Sequence, residues 1–308
     1  MDRIYQILKD EYPNFEVPQI FEVLIADVLD MSKLEELFTK RIEEKCPITT
    51  VVHLAAKKAV GESVKFPLMY YENNFVGTLN VLKCMEKYNC KRFIFSSTAT
   101  VYGCNDKCRE DSPINPLHPY SSTKVCMEYV LRDFANSKPD YQIIALRYFN
   151  PAGAHPSGLI GDSPSVFPNN LFPFIEQVII GKRPLLTIFG NDYKTHDGTG
   201  IRDYIHIVDL AKAHVVALEK LQTTKGFDVF NLGTAKGYSV FDIITSYSRV
   251  IGKEIPYKIG ERRLGDVDVL ICVCDKANKE FNWKVEKSLE DMCRDSFNFI
   301  QKNPEGIQ

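Results

Sequence analysis

The sequence predicts an α/β fold, a doubly wound parallel sheet with a smaller mixed domain beside it. Three observations carry this reading. Short apolar runs alternate with amphipathic helical stretches through the first half of the chain, the pattern of a parallel sheet covered on both faces. Hydroxyl, acidic and amide side chains follow those runs directly, at the carboxyl ends of strands where open α/β sheets place their ligands. After Asn150 the texture changes, and Pro and Gly become frequent through Gly190, as in a covering segment of loops and short helices.

Each element follows from its periodicity. Residues 1–12 set Ile4, Ile7, Leu8 and Tyr12 on one helical face. Phe21 to Val28 is an apolar run containing Asp27 and is expected to be a strand. Met31 to Glu44 repeats Leu34, Leu37, Phe38 and Ile42 at helical spacing. Thr50 to Ala56 is a second expected strand, Tyr70 to Tyr88 a long helix, and Arg92 to Ser97 a third strand. Tyr120 to Ala135 is a further helix, followed by the strand Ile143 to Arg147. Pro47, Pro67 and Pro119 fall at element edges, where proline is tolerated.

Composition excludes several function classes. The 308 residues are 44% hydrophobic and 25% charged, with a net charge of −2, which gives no electrostatic footprint for nucleic acid or an anionic membrane. No apolar run approaches the roughly 18 residues a membrane helix needs, and the first residues hold no signal-peptide core. The nine cysteines (46, 84, 90, 104, 108, 126, 272, 274, 293) include two close pairs but no zinc spacing. No metal site is expected, and the thiols are expected to be reduced in a cytoplasmic protein.

The chemistry concentrates around Ser96-Ser97-Thr98 and Tyr120-Ser121-Ser122-Thr123-Lys124. Tyr120 and Lys124 stand four apart on one helix face. A free phenol with a pKa near 10 is a poor base, and a neighbouring cation is expected to lower it far enough to exchange a proton with a substrate hydroxyl. The pattern by itself is weak: Tyr5 and Lys9 repeat it on a helix with no chemistry attached. Context separates the two, because Thr98 ends a strand and can hydrogen-bond the same oxygen as Tyr120. Other polar residues have plain structural readings. Asn169 and Asn170 suit a helix cap before Leu171, Phe189 suits a core, and Glu261-Arg262-Arg263 suits a solvated turn until Leu264-Gly265-Asp266 follows it. His53 and His206, each beside a strand, read as structural.

From about Phe21 to Pro304 the sequence resembles the UDP-galactose 4-epimerases, a family of extended short-chain dehydrogenase/reductases with a Rossmann-type sheet. The resemblance rests on Lys58 to Ser63, Ser97 to Gly103, Arg147 to His155, Pro168 to Leu171, Phe189 to Tyr193 and Asp197 to His206, in that order. It implies NAD-dependent interconversion of UDP-galactose and UDP-glucose, a homodimer and a cytoplasmic setting. Tyr120 resembles the catalytic base and acid, Lys124 its activator and nicotinamide-ribose ligand, and Thr98 the hydroxyl bridging Tyr120 and sugar. Asp27 and Val28 resemble the adenine contacts; Leu54, Ala55, Lys58, Asn73 and Phe149 match further cofactor positions. Tyr148, Asn150, Asn170, Leu171, Phe189, Arg202, Arg263 and Asp266 match the UDP-sugar side. In the family, bulk at the position of Leu270 gates the 2-substituent of the sugar. The implied division is a dinucleotide-binding domain over 1–151, completed by about 202–235, and a substrate-binding domain over 152–201 and 236–308.

Three departures temper the likeness. Thr98 replaces the usual serine, keeping the hydroxyl but restricting its rotamers. Ala56 replaces a glycine beside the cofactor. No strand–Gly-x-x-Gly-x-x-Gly–helix is found, and the sequence opens in what reads as the helix after it, so an N-terminally truncated sheet is expected, short of roughly 40 residues of its first βαβ portion. Such a chain is expected to bind NAD poorly and to be inactive on its own. The rival readings are a non-catalytic remnant that binds UDP-sugar or a partner subunit, and a nucleotide-sugar 4,6-dehydratase, which Thr98-Ala99-Thr100 disfavours because it offers no acid for elimination.

Overall fold

The computed structural model describes residues 2–14, 22–103, 106–164, 168, 170–263 and 265–307. Asn169, Leu264, Cys104 and the Phe21 start of the first expected strand lie outside them. In chain order the first elements are α1 (Asp2–Glu11), α2 (Met31–Glu43), β1 (Thr50–His53), α3 (Val60–Lys65), α4 (Pro67–Tyr70), a π-helical turn (Tyr71–Val76) and α5 (Gly77–Lys87). They are followed by β2 (Arg92–Thr98), a 3₁₀ turn (Ala99–Val101), β3 (Asp106–Cys108), α6 (Pro119–Ser137), β4 (Gln142–Tyr148) and β5 (Asn150–Ala152). The rest comprises α7 (Leu171–Ile179), β6 (Leu186–Phe189), β7 (Ile201–His206), α8 (Ile207–Leu221), β8 (Gly226–Leu232), β9 (Gly237–Tyr238), α9 (Val240–Ile251), β10 (Tyr257–Gly260), β11 (Val269–Cys272), α10 (Asp275–Phe281) and α11 (Leu289–Lys302).

Strands β1-β2-β4-β8 form a four-stranded, wholly parallel sheet. Successive side chains of a strand point to opposite faces. Phe93 and Phe95 therefore join Ile143 and Ala145 in one core, under Leu34 and Phe38 of α2, Leu82 and Met85 of α5 and Met127 and Leu131 of α6. Ile94, Ile144, Leu146, Phe230 and Leu232 build the other core with Leu210, Ala213 and Ala217 of α8. Burial on both faces explains why these strands read as near-continuous apolar runs. Outside the sheet, β3-β11-β7-β5, with β9 antiparallel to β7, and the pair β10-β6 make the mixed remainder, packed on α7, α9 and α11.

Two expectations fail at the β1 side. Residues 22–27 are exposed and irregular, not a strand, because an apolar run becomes a strand only where another strand offers it a ladder. Val28 alone is drawn in: its side chain lies where a Cβ on Gly77 would stand, at 2.6 Å, so the chain presses against α5 only because that position is glycine. The second departure is α1. It docks on the far body, with Arg3 donating to the Leu159 carbonyl at 3.1 Å and to Asn303, and Glu11 lying 3.5 Å from His155. The expected helix 70–88 is present but is π-wound at its start, and a π turn of this kind often marks a functional position. Cys46, Cys84, Cys90, Cys126, Cys272, Cys274 and Cys293 are free thiols. Cys108 is disulfide-bonded, so uniform reduction fails there.

Candidate active site

The carboxyl ends of β2 and β4 and the first turns of α6 meet at one point. His118 caps α6, accepting from the Ser121 N–H at 3.2 Å, and Pro119 starts the helix where its missing N–H costs nothing. Tyr120 and Lys124 then fall one turn apart, facing the end of β2. Thr98 acts on the Tyr120 phenol across the end of β2, favouring its ionised form. Thr98 also accepts from the Thr100 N–H at 3.2 Å and lies 3.1 Å from the Thr100 hydroxyl, so its Oγ1 is fixed by the turn it caps. The buried Lys124 amine donates to the Ser96 carbonyl at 2.7 Å and lies 4.8 Å from the centre of the Phe95 ring.

The electrostatics differ from expectation. Tyr120 is pushed above the ordinary phenol value by burial, which Thr98 only partly offsets. Lys124 does not lower it. Its amine is turned to Ser96, and burial holds its own pKa down at about 7, against the opposing charge of Glu128. In the protein without ligand, desolvation outweighs the cation. His53 is buried, sits 3.0 Å from the Thr78 hydroxyl and is held neutral, with a pKa near 4, by burial and then by the Lys124 charge. His206 caps α8 and lies 3.2 Å from Asp295, so both histidines are structural as expected.

The expected cofactor residues divide. Leu54, Ala55 and Lys58 are exposed on the segment after β1. That segment is held by Asn74, whose Oδ1 accepts from the Lys57 N–H at 2.8 Å and whose Nδ2 donates to the Lys57 carbonyl and to Thr123 of α6. Asn73 is half-buried and donates to Asn74 at 3.0 Å. Sequence reasoning picked Asn73 and missed Asn74, since only the π turn brings the second asparagine inward. Phe149 is buried among Val101, Val125 and Leu270. Asp27 is exposed, its carboxylate accepting from the Leu29 N–H at 2.9 Å.

Four of the expected UDP-sugar residues, Arg202, Arg263, Asp266 and Phe189, cluster together. Asp266 lies 2.9 Å from Arg263 and 3.6 Å from Arg202, and Arg263 stands 5.1 Å over the exposed Phe189 ring. Leu270 on β11 is the register partner of Arg202 on β7. Asp266 also acts electrostatically on His118, whose ring stacks parallel to Tyr120 at 6.0 Å, so the arginine cluster faces the start of α6. Asn150 pairs with Tyr204 in register, and the exposed Asn170 and half-buried Leu171 open α7. Asn170 makes no side-chain cap bond, leaving its amide uncommitted to the helix. Tyr148 is tied down: His214 Nδ1 donates to the Leu210 carbonyl at 2.8 Å, so its Nε2 accepts from the Tyr148 hydroxyl at 2.6 Å.

Comparison with known proteins now has a geometry to rest on. The family model described as GDP-mannose 4,6 dehydratase matches residues 2–296. UDP-glucose 4-epimerase 4 of Oryza sativa subsp. japonica is 49% identical over 284 residues, which cover 91% of this chain and 76% of the relative. The chain belongs to the UDP-glucose 4-epimerase family. The epimerase of Bacillus subtilis is 46% identical over 285 residues, covering 92% of this chain and 83% of its own. Among solved structures, the family member from Bifidobacterium longum, in complex with NAD+ and UDP, superposes with a TM-score of 0.87 at 44% identity, covering 92% of this chain and 84% of that one. The fold is thereby that of the extended short-chain dehydrogenase/reductases. No helix among the described residues is long and apolar enough to cross a membrane.

Proposed function

We propose that this protein interconverts UDP-galactose and UDP-glucose with NAD as a resident cofactor. The observation that carries the reading is the meeting of Thr98, Tyr120 and Lys124 at the ends of β2 and α6, opposite the Arg202–Asp266–Arg263 cluster. Family relatives carrying this name, and one solved with NAD+ and UDP, support it. The residues present fit the nicotinamide-ribose end of the cofactor: the Lys124 ammonium carries three donors, its described hydrogen bond is to the Ser96 carbonyl, and ribose hydroxyls suit the others. Lys58, Leu54, Ala55, Asn73 and Phe149 are assigned to the cofactor in this reading, and Asp27 and Val28 to its adenine.

Bound NAD would supply reversible hydride acceptance from the sugar C4, with Tyr120 as the group that exchanges the proton. Tyr120 exchanges the 4-hydroxyl proton, with the Thr98 hydroxyl placed to bridge phenol and sugar. Arg202 and Arg263 offer forked donors to the pyrophosphate, which competes for them with Asp266. Phe189 gives the base a flat apolar face, and Asn150, Asn170, Leu171 and Tyr148 complete the sugar-nucleotide side. Leu270, beside Arg202, sets the room at the sugar 2-position. Leucine is flexible, so partial acceptance of UDP-N-acetyl sugars is part of the proposal.

The same reading divides the chain into a dinucleotide-binding part, 1–151 with about 202–235, and a substrate-binding part, 152–201 and 236–308. It places a homodimer in the cytoplasm. Turnover of UDP-galactose with added NAD tests it, and Tyr120→Phe is expected to lower turnover about 10²–10⁴-fold. Equal turnover by that variant removes Tyr120 from the mechanism.

A further inference from the structure

Beneath Thr98, Tyr120 and Lys124 lies a buried ion pair that the proposed chemistry does not use. Arg147 and Glu128, 4% and 6% exposed, meet in a two-point contact, Nε to Oε1 at 3.0 Å and Nη2 to Oε2 at 2.6 Å. The Ser97 hydroxyl donates to the same carboxylate. Arg147 Nη1 donates to the Tyr102 hydroxyl at 2.9 Å and to the Glu110 carbonyl at 3.1 Å. Tyr102 in turn donates to Asn231 Oδ1 at 2.6 Å, and Asn231 Nδ2 to the Cys108 carbonyl at 3.0 Å.

A buried pair of this kind contributes little stability over apolar residues of the same volume, so stability does not explain it. Its placement does. Ser97 immediately precedes Thr98, Arg147 immediately precedes the Tyr148–Asn150 segment, and Glu128 is one helical turn beyond Lys124. Three elements, each carrying site residues, are joined at one fully satisfied polar node, and such nodes fix geometry. We propose that Glu128 and Arg147 are the positioning residues of this site. Their contact seats β2, β4 and α6 relative to one another, and Glu128 is the counter-charge of the Lys124 ammonium. This rests on the functional reading above only for its effect on turnover.

The groups around Lys124 and its partners are few. Its own helix presents Tyr120 and Glu128, β1 presents His53, held neutral, and β4 presents Arg147 and Tyr148. From β2 come the Ser96 carbonyl and the Phe95 ring. Burial lowers the Lys124 pKa and Glu128 opposes it. Removing the Glu128 charge leaves burial unopposed and Arg147 unpaired, so the midpoint moves further down.

The test reads Lys124 directly. In protein labelled with ¹³C,¹⁵N-lysine, the Cε resonances assigned by their loss in Lys124→Met give its titration midpoint. Glu128→Gln is expected to lower that midpoint by about one pH unit. It is also expected to cut kcat for UDP-galactose roughly 10–100-fold, with KM changed by less than about two-fold. Arg147→Lys keeps both charges but loses the fork. It is expected to leave the midpoint in place and lower kcat about ten-fold, and it decides the matter if Glu128→Gln does not fold. An unmoved Lys124 midpoint in folded Glu128→Gln, or wild-type kcat in Arg147→Lys, overturns the proposal. A lowered midpoint in Glu128→Gln, with no turnover even in the wild type, upholds the counter-charge and sinks the functional reading instead.

Discussion

The two sides of the candidate site are built differently. On the β2–β4–α6 side, Thr98 and Lys124 are buried, and Ser97, Glu128, Arg147 and Tyr102 hold the segments that carry them. On the β1 side, Asp27, Leu54, Ala55 and Lys58 are exposed, Ile25 is 97% exposed, and residues 22–27 follow no regular element. The groups assigned to chemistry are therefore preorganised by the core, whereas those assigned to the adenine and ribose stand exposed. Preorganisation at the reacting centre is where positioning has the greatest effect on rate.

Substitutions should expose this contrast. Lys124→Met is expected to lower turnover about 10²-fold, as for loss of a group that positions the cofactor ribose. Asp27→Ala, at the open side, is expected to change kcat by less than about three-fold while weakening cofactor binding; steady-state kinetics on the pair measures both. Should Asp27→Ala match Lys124→Met in kcat, the division of labour is wrong.

Next in size is a pH effect confined to the buried side. His53 has its folded pKa lowered from 6.5 to about 4, so the unfolded chain binds the extra proton between those values. Stability is complete above about pH 6.5 and is lost as pH falls through 4, by roughly 3 kcal/mol at pH 4. Urea unfolding of wild type and His53→Gln between pH 7 and 4 measures it. The variant's curve should lack this component, and parallel curves would remove His53 as its source.

The smallest effect belongs to the open side. Ile25→Lys should change unfolding free energy by less than about 0.5 kcal/mol while reducing self-association, because a charge replaces an exposed apolar side chain. Light scattering and denaturant melts check both. A loss above about 2 kcal/mol would show that residues 22–27 are packed after all.

What the sequence disclosed follows the same line. β2, α6 and β4 were legible because burial on both sheet faces writes an apolar pattern that has one reading. Tyr120 and Lys124 were legible because a helix fixes their spacing. The run 22–28 misled, since its apolar residues look the same whether or not a neighbour pairs with them. Asn74 stayed hidden behind a π turn that no spacing rule foresees, and His118 behind its role as a cap. The direction of the Tyr120 shift was misjudged because a sequence shows that a lysine is near but not that its amine turns to the Ser96 carbonyl in a desolvated pocket. The Glu128–Arg147 contact joins residues 19 apart in sequence through tertiary structure alone.

The central claim is that one site removes a carbon-bound hydrogen from the sugar and returns it. UDP-galactose carrying deuterium at C4, incubated in ordinary water with the protein and NAD, tests this most directly by proton NMR of the UDP-glucose formed. Deuterium retained at C4, with no solvent hydrogen entering there, is the predicted result. Label washed out to solvent, or no UDP-glucose formed by protein that holds NAD, would contradict it.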